Sequence, residues 1–261
     1  ETPMADRESL LRQALKDADP QVRFEALRSW GRRLQSTSCA PIRAAVKDPD
    51  THVVLQAIDL LGGACPSSEG TVIEPAALAQ TLSSRPREWH APAHALVALA
   101  RQSPAQAKAA LPRFVGHATW QVRMYAARAA GVLSAIDVLT TLGADAHHNV
   151  REAALASLIE SKRPEAVSVA LSALTSDDHQ LVLTAAAAFT DASTAQRAVP
   201  ALVAALGRLT RQKRDTSRDP RMAILERLLA LDARAATRDL ESYLTDYDPR
   251  IAAKAAALLT A

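Results

Sequence analysis

Apolar residues recur along this chain at intervals of three and four positions, as in the run Ala166, Val169, Ala170, Ala173 and Leu174. Residues at this spacing lie on one side of an α-helix, so the pattern predicts helices that each bury a single face. A first set of such helices is predicted over residues 7–16, 41–47, 75–82, 105–115, 135–142, 165–174, 197–209 and 235–244.

A second set of helices is predicted to begin at a recurring turn motif. Its clearest copy is Asp19-Pro20-Gln21-Val22-Arg23, in which Asp caps the helix and Pro occupies its first turn. The apolar residue that follows each turn is called the anchor of its repeat. The anchors stand at positions 22, 53, 91, 122, 150, 181, 222 and 251, at intervals of 31, 38, 31, 28, 31, 41 and 29. A period near 30 residues is long enough for two short helices and two turns, so about eight helical hairpins are expected.

The composition agrees with an all-α fold, because the chain has 56 Ala and 33 Leu but only 8 Gly and 9 aromatic residues among 261. A small residue follows most anchors by four positions and therefore lies on the same helix face, where it lets neighbouring helices approach closely. The apolar content of 48% and the net charge of +3 argue against disorder. The longest stretches without a charged residue are too short to span a bilayer.

The recurring Asp-Pro-x-Val-Arg-x-x-Ala motif resembles the short bacterial kind of HEAT repeat, and the resemblance extends over essentially the whole chain. It implies a right-handed α-solenoid, with residues 1–261 forming a single domain whose second helices line a concave face. The final helix, over 250–261, has no polar capping unit after it. Since the chain also begins at Glu1, we expect it to be a piece of a longer protein.

The arginine of the motif, at Arg23, Arg123 and Arg151, is predicted to be structural. In HEAT arrays this position and an aspartate of the turn, such as Asp19, form a ladder of charge-assisted hydrogen bonds between repeats. Ligand binding by the same arginines is the alternative interpretation.

Histidine or tryptophan recurs immediately before the second helices, and stacked repeats would place these side chains along one edge of the concave face. Trp120, Arg123 and Tyr125 form the best hot-spot candidate, because Trp, Tyr and Arg dominate binding hot spots. The predicted partner-binding residues are Trp89, His90, Trp120, Arg123, Tyr125, His148 and His179. The alternative interpretation is that turns tolerate polar residues and that tryptophan packs between repeats.

Enzymatic signatures are scarce in the sequence. There is no Gly-rich phosphate loop, no G-x-S-x-G elbow, no C-x-x-C and no H-E-x-x-H, so no catalytic residue, cofactor or metal site is predicted. His90 and His94 share a helix face, but no third ligand accompanies them. Cys39 and Cys65 pair only if the fold brings them together, and two cysteines do not decide which cellular compartment the protein occupies.

Residues 207–221 carry a local net charge of +4 and coincide with the longest repeat interval, so they are predicted to form a basic insertion loop. The predicted binding cations of this loop, available to phosphates, an acidic partner or solvent, are Arg208, Arg211, Lys213, Arg214 and Arg218, and Arg221 completes the charge.

These features favour a non-catalytic scaffold that binds a protein or peptide partner, or a covalently linked domain, on its concave face. The motif around Trp120 and the stretch 215–221 also resemble the HEAT region of bacterial proteins that carry a C-terminal cyclophilin-type prolyl isomerase domain. In that case the segment is accessory to the isomerase and not itself an enzyme. The alternative is a nucleic-acid-binding protein of the HEAT-like alkylpurine DNA glycosylase type. The nearly neutral charge outside 207–221 argues against it.

Overall fold

The computed structural model of this chain describes residues 4–66 and 89–260. Within these two ranges the regular structure consists of α-helices and short 3-10 turns, without a strand, which confirms the all-α fold class. The helix predicted over 75–82 lies outside the described residues.

Fifteen α-helices lie in the described ranges. They are α1 Met4–Ala14, α2 Pro20–Arg33, α3 Ala40–Ala45, α4 Thr51–Leu61, α5 His90–Gln102, α6 Pro104–Val115, α7 Trp120–Val132, α8 Ile136–Leu142, α9 His148–Glu160, α10 Glu165–Ala173, α11 His179–Ala187, α12 Ala195–Gln212, α13 Arg218–Leu231, α14 Ala233–Ser242 and α15 Pro249–Leu259. All eight predicted anchor positions fall in the second helices of hairpins, namely α2, α4, α5, α7, α9, α11, α13 and α15. The repeat period read from the sequence is therefore the hairpin period of the fold.

The helices group into two compact units, residues 1–133 and residues 134–261, and the boundary falls between two hairpins. In unit 1 the second helices α2, α4, α5 and α7 pack on one another in that order. In unit 2 the second helices α9, α11, α13 and α15 do the same. Each unit therefore has a layer of second helices, and its outward side is called the second-helix face below.

Alanine occupies the positions where the stacked helices meet. The residues four positions after the anchors are buried in nearly every second helix, with exposures of 5% at Ala26 and 0% at Ala57, Ala95, Ala126, Ala154, Ala185 and Ala255. A methyl side chain at these sites lets the helix axes approach closely, which is the role that the sequence predicted. Leucines fill the layer between first and second helices, together with Trp30 in unit 1 and Phe189 in unit 2, both fully buried.

Each well-formed turn carries two polar residues that satisfy backbone N–H groups. The earlier one, for example Asp48, accepts a hydrogen bond from the N–H two residues later, at 2.9 Å. The later one, for example Asp50, caps the second helix and accepts from the His52 N–H at 2.9 Å. The same double arrangement occurs at Asp17 with Asp19, and at Asp246 with Asp248.

The predicted arginine ladder takes a particular form in this chain. Arg23 donates to the backbone carbonyls of Asp17 and Ala18 in its own turn and forms a two-pronged ion pair with Asp48 of the next turn, at 2.7 and 2.9 Å. Asp19 is not its ion-pair partner: that carboxylate caps α2 through the N–H of Gln21 at 2.8 Å. The ladder aspartate is thus the earlier polar residue of the following turn.

The prediction of a basic insertion loop over 207–221 is wrong. Arg208 and Arg211 lie in the last turns of α12, and Arg218 lies in the first turn of α13. Only a short connection remains, in which Lys213 adopts a left-handed conformation with φ 51° and a 3-10 turn follows at Asp215–Ser217. The extra length of this repeat lies largely in α12, whose 18 residues make it the longest first helix described.

Cys39 and Cys65 form a disulfide, with their Cα atoms 5.8 Å apart. It joins the N-cap of α3 to the segment that follows α4, so it closes one hairpin of unit 1. The Cys39 side chain is completely buried. The pairing that the sequence left open is therefore made by the fold.

Candidate functional site

The second-helix face of unit 1 carries a chain of hydrogen-bonded polar side chains across three repeats. His94 of α5 lies between Asp59 of α4 and Tyr125 of α7, with Nδ1 2.7 Å from the Asp59 Oδ1 and Nε2 2.6 Å from the Tyr125 hydroxyl. A carboxylate only accepts, so the His94 Nδ1–H donates to Asp59, and in the neutral imidazole Nε2 is left to accept from the Tyr125 O–H. The three groups thus cross-link neighbouring second helices.

Tyr125 is held as a neutral phenol in this arrangement. Burial raises its pKa above the usual value of 10.0, and the negative charge of Asp59 acts in the same direction. The positive charge of Arg128 opposes the rise, with its guanidinium carbon 4.9 Å from the centre of the Tyr125 ring. A tyrosine with a raised pKa is a hydrogen-bonding group at neutral pH and not a nucleophile.

The predicted residues at the start of α5 contact each other. The Trp89 and His90 rings stack with centroids 3.6 Å apart and planes 28° apart. His90 is exposed, whereas both nitrogens of His94 are engaged by Asp59 and Tyr125, so the two histidines do not act together on a metal. Across residues 4–66 and 89–260, no group of three or more His, Cys, Asp or Glu side chains is arranged to hold one.

Trp120 and Arg123 lie in the first turn of α7. Arg123 donates to the backbone carbonyls of His117 and Ala118 at 2.9 and 3.0 Å, the same contacts that Arg23 makes in its own turn. Arg123 therefore fastens the turn to the helix. Trp120 is the first residue of the helix and is half-buried.

In unit 2 the two predicted histidines each face a polar group of the following hairpin or turn. His148 Nδ1 lies 2.9 Å from a carboxylate oxygen of Asp178, and the His148 ring stacks on His147 with centroids 4.6 Å apart. The His179 Nε2–H donates to the Gln212 side-chain oxygen at 2.9 Å. His179 thus links two hairpins by a hydrogen bond, and His148 lies close to the capping residue of the next second helix.

Three of the basic residues over 207–221 contact protein groups. Arg208 donates to the carbonyls of Leu174 and Ser176 at 2.7 and 2.6 Å, and Arg218 pairs with Asp248 at 2.6 Å. Arg221, which the sequence analysis counted only as part of the charge, is fully buried in an ion pair with Asp246. Half of the six cations over 207–221 are thus engaged by the protein itself, whereas Arg211, Lys213 and Arg214 are exposed.

A groove runs along the second-helix face of unit 2, with a volume of 690 Å³. Its floor is formed by α11, where Leu183, Ala186 and Ala187 are the lining apolar residues. Its walls are the flanking helices α9 and α13, which contribute Glu152 and Glu226 among others. Alanines of all three helices line the groove, namely Ala156, Ala186, Ala187, Ala223 and Ala230, and their small side chains leave the space open.

The sequence of this chain matches the family model described as HEAT repeats over residues 8–80. No curated protein matches it in sequence. The crystal structure of the Escherichia coli protein YibA is similar in fold, with a TM-score of 0.61 at 17% identity, covering 97% of this chain and 92% of that one. Kap95p in its complex with RanGDP is also similar, with a TM-score of 0.54 at 13% identity, covering 97% of this chain and 41% of Kap95p.

This chain is a HEAT-like helical repeat protein. The likeness to YibA and to Kap95p concerns the fold, because both identities are low. None of the described helices of this HEAT-like protein is long and apolar enough to cross a bilayer.

The sequence analysis missed Asp59 and Arg128 on the face of unit 1 and the charged residues of the unit 2 groove, Glu152, Glu160, Glu226 and Arg227. The signal for the polar chain of unit 1 was the register: His94 and Tyr125 both stand three positions after an anchor, at 91 and 122. Residues in the same register of adjacent repeats become neighbours when the repeats stack. The groove has no comparable signal, because it depends on how the faces of three neighbouring helices come together when the repeats stack.

Proposed function

We propose that this HEAT-like protein is a non-catalytic interaction scaffold that binds a protein or peptide partner on its second-helix faces. The observation that carries the proposal is the groove of unit 2, an open apolar trough of 690 Å³ edged by charged side chains. Protein interfaces combine an apolar centre with a polar rim in this way. Partner binding is also what is stated of Kap95p, whose fold is similar.

The face of unit 1 supports the same proposal through different chemistry. Its exposed Arg128 lies over the Tyr125 ring, and the phenol is held in place by His94. Aromatic and arginine side chains that are already oriented lose little entropy on binding. The set Trp89, His90, Trp120, Arg123, Tyr125, His148 and His179 remains our prediction for residues that contact the partner.

The described contacts do not favour the nucleic-acid alternative. A phosphate-binding surface needs cations that are free to approach the backbone. Arg208, Arg218 and Arg221 instead contact carbonyls and carboxylates of the protein itself, which leaves only Arg211, Lys213 and Arg214 of this cluster exposed. The finer prediction, that this segment is accessory to a prolyl isomerase domain, stays a prediction.

The test is capture of partners from a cell extract by the immobilised protein. The Ala187→Trp variant would fill the groove of unit 2 from an exposed position, and the Arg128→Glu variant would reverse a charge on the face of unit 1. The control is Lys108→Glu, which makes the same charge change on the first helix α6. We expect a specific partner to be lost with at least one face variant and retained by the control. Equal capture by all three variants and the parent protein would contradict the proposal.

A further inference from the structure

The walls of the unit 2 groove carry more negative than positive charge. Glu152 and Glu160 lie on α9, and Glu226 and Arg227 lie on α13. Three carboxylates and one guanidinium give the lining a formal charge of −2, and Lys254, which pairs with Glu226 from outside the lining, brings the local charge to −1. The rest of the lining is apolar apart from the Thr184 hydroxyl.

Two of the carboxylates are fixed in place by neighbouring repeats. Glu152 accepts a hydrogen bond from the Thr184 hydroxyl at 3.0 Å, and Glu226 forms an ion pair with Lys254 of α15. Glu160 is exposed, and none of the contacts described for residues 4–66 and 89–260 engages its carboxylate. The acceptors are thus partly positioned before any ligand arrives.

The carboxylates are spaced along the groove. Glu152 and Glu160 are eight residues apart on the same helix, which corresponds to about 12 Å along its axis. An extended peptide rises about 3.3 Å per residue, so cationic side chains four residues apart would reach both glutamates. The apolar floor between them would contact the side chains in the middle of such a segment.

Resting on the proposed function, we propose that this groove takes a short extended segment of a partner protein in which two cationic residues flank a small apolar stretch. The charge of the walls selects the cations, the small side chains of Ala186 and Ala187 make room for the apolar centre, and Leu183 offers it an apolar contact. The groove is open along its length, with Ala187 and Ala230 exposed, so it suits a chain that passes through it rather than an enclosed small molecule.

The experiment uses the full chain and three fluorescein-labelled peptides with the same Leu-Ala-Leu centre, flanked by lysine, serine or glutamate. Fluorescence anisotropy up to about 1 mM protein measures the affinities. Exposed ion pairs contribute about 0.2–1 kcal/mol each, which corresponds to about one-and-a-half- to fivefold in affinity per pair. We therefore expect the lysine peptide to bind about tenfold more tightly than the serine peptide, with an advantage that shrinks at high salt.

Variants locate the binding. Glu160→Gln should weaken the lysine peptide about two- to fivefold, and Arg227→Gln should strengthen it by a similar factor, because it removes the one cation of the lining. The matched control Glu241→Gln makes the same change on the exposed part of α14 and should leave the affinity unaltered. Ala187→Trp should abolish binding of all the peptides, and circular dichroism verifies that it folds.

Each other outcome overturns the inference. Equal affinity for the three peptides, lost with Ala187→Trp, would show that the groove binds peptides without selecting charge, which leaves the scaffold proposal standing. A third outcome is that no peptide binds while the Arg128→Glu variant still loses the specific partner in the capture experiment. That result would place the binding face in unit 1. A concentration-dependent dimer in light scattering that Ala187→Trp dissociates would identify a second copy as the occupant.

Discussion

Arg23 pairs with Asp48, which stands 25 residues further along the chain, and thereby ties the second helix of one hairpin to the turn of the next. The same separation joins Arg151 to the Ser176 hydroxyl at 3.3 Å and Arg221 to Asp246. The ladder therefore keeps its geometry while its acceptor changes from a carboxylate to a hydroxyl. It sets the spacing of neighbouring repeats on the turn side of the array.

Replacing Asp48 with Asn should destabilise the protein in a pH-dependent way. The hydrogen bond from Arg23 holds the pKa of Asp48 below its usual value of 3.8. The unfolded chain therefore takes up this proton first, and the stabilisation present at neutral pH is lost as the pH falls below about 4. We expect Asp48→Asn to lower the free energy of unfolding by about 1.5–3 kcal/mol at pH 7, measured by urea denaturation.

The difference between the parent protein and Asp48→Asn should shrink when the denaturation is repeated near pH 3, because the unfolded parent chain then gains stability by taking up the Asp48 proton. The control Asp177→Asn removes a carboxylate whose side chain is 86% exposed, and it should have little effect at either pH. A difference for Asp48→Asn that is the same at both pH values would contradict the assigned role.

Mutation of the buried ion pair between Arg221 and Asp246 should destabilise the protein more than mutation of the pair between Arg23 and Asp48. Their side chains are 0% and 2% exposed, and Arg221 also donates to the Thr210 hydroxyl at 3.1 Å and lies 4.9 Å from the centre of the Tyr247 ring. Asp246→Ala leaves the guanidinium buried without its counter-charge, so we expect a loss of about 3–5 kcal/mol in denaturant unfolding.

A second substitution tests whether the loss of stability comes from the unpaired charge of Arg221 or from the lost contact between the repeats. Adding Arg221→Met to Asp246→Ala removes the orphaned charge and should restore much of the lost stability. The exposed pair Arg12 with Glu8 provides the comparison: at 49% and 34% side-chain exposure, Glu8→Ala should cost no more than about 1 kcal/mol. If the double variant is no more stable than Asp246→Ala, the cost does not come from the unpaired charge.

The repeat architecture could be predicted because it rests on local rules. The anchors and the alanines four positions later follow the helix period, and the capping aspartates precede helices by a fixed distance. Every described second helix accordingly contains its predicted anchor. These features require only the chemistry of residues that are close in sequence.

The contacts between repeats were predicted less well because they depend on register in three dimensions. The charge count marked residues 207–221 as unusual, but it did not show that α12 continues to Gln212 and that Arg221 turns inward. Similarly, Asp59 meets His94 across 35 residues, and Cys39 meets Cys65 across 26. Those pairings become visible only when the lengths of the intervening helices are known.

Reduction of the disulfide should lower the stability of unit 1. The bond between Cys39 and Cys65 closes a loop of 26 residues. A cross-link over this length lowers the conformational entropy of the unfolded chain, which raises the free energy of unfolding by about 2–4 kcal/mol. We expect the melting temperature, followed by circular dichroism, to fall when a reductant is added. The double variant Cys39→Ala with Cys65→Ala should already melt lower and should be insensitive to reductant. A reductant effect of equal size in that variant would rule out the disulfide as its cause.

Tyr125 should titrate above the usual tyrosine range in the folded protein. Burial in the layer of second helices raises its pKa above 10.0, and the nearby Arg128 limits the rise. The absorbance of ionised tyrosine, taken as the difference between the parent protein and Tyr125→Phe, isolates this one group. Arg128→Gln should move the titration to still higher pH.

The same shift has a consequence for stability. Because the folded state binds the phenolic proton more tightly than the unfolded chain, the contribution of Tyr125 is complete below pH 10 and is lost as the pH rises through its folded-state pKa. The parent protein should therefore lose more stability between pH 9 and pH 11 than Tyr125→Phe does. A Tyr125 titration at or below that of an exposed tyrosine would mean that the phenol is not buried among α4, α5 and α7.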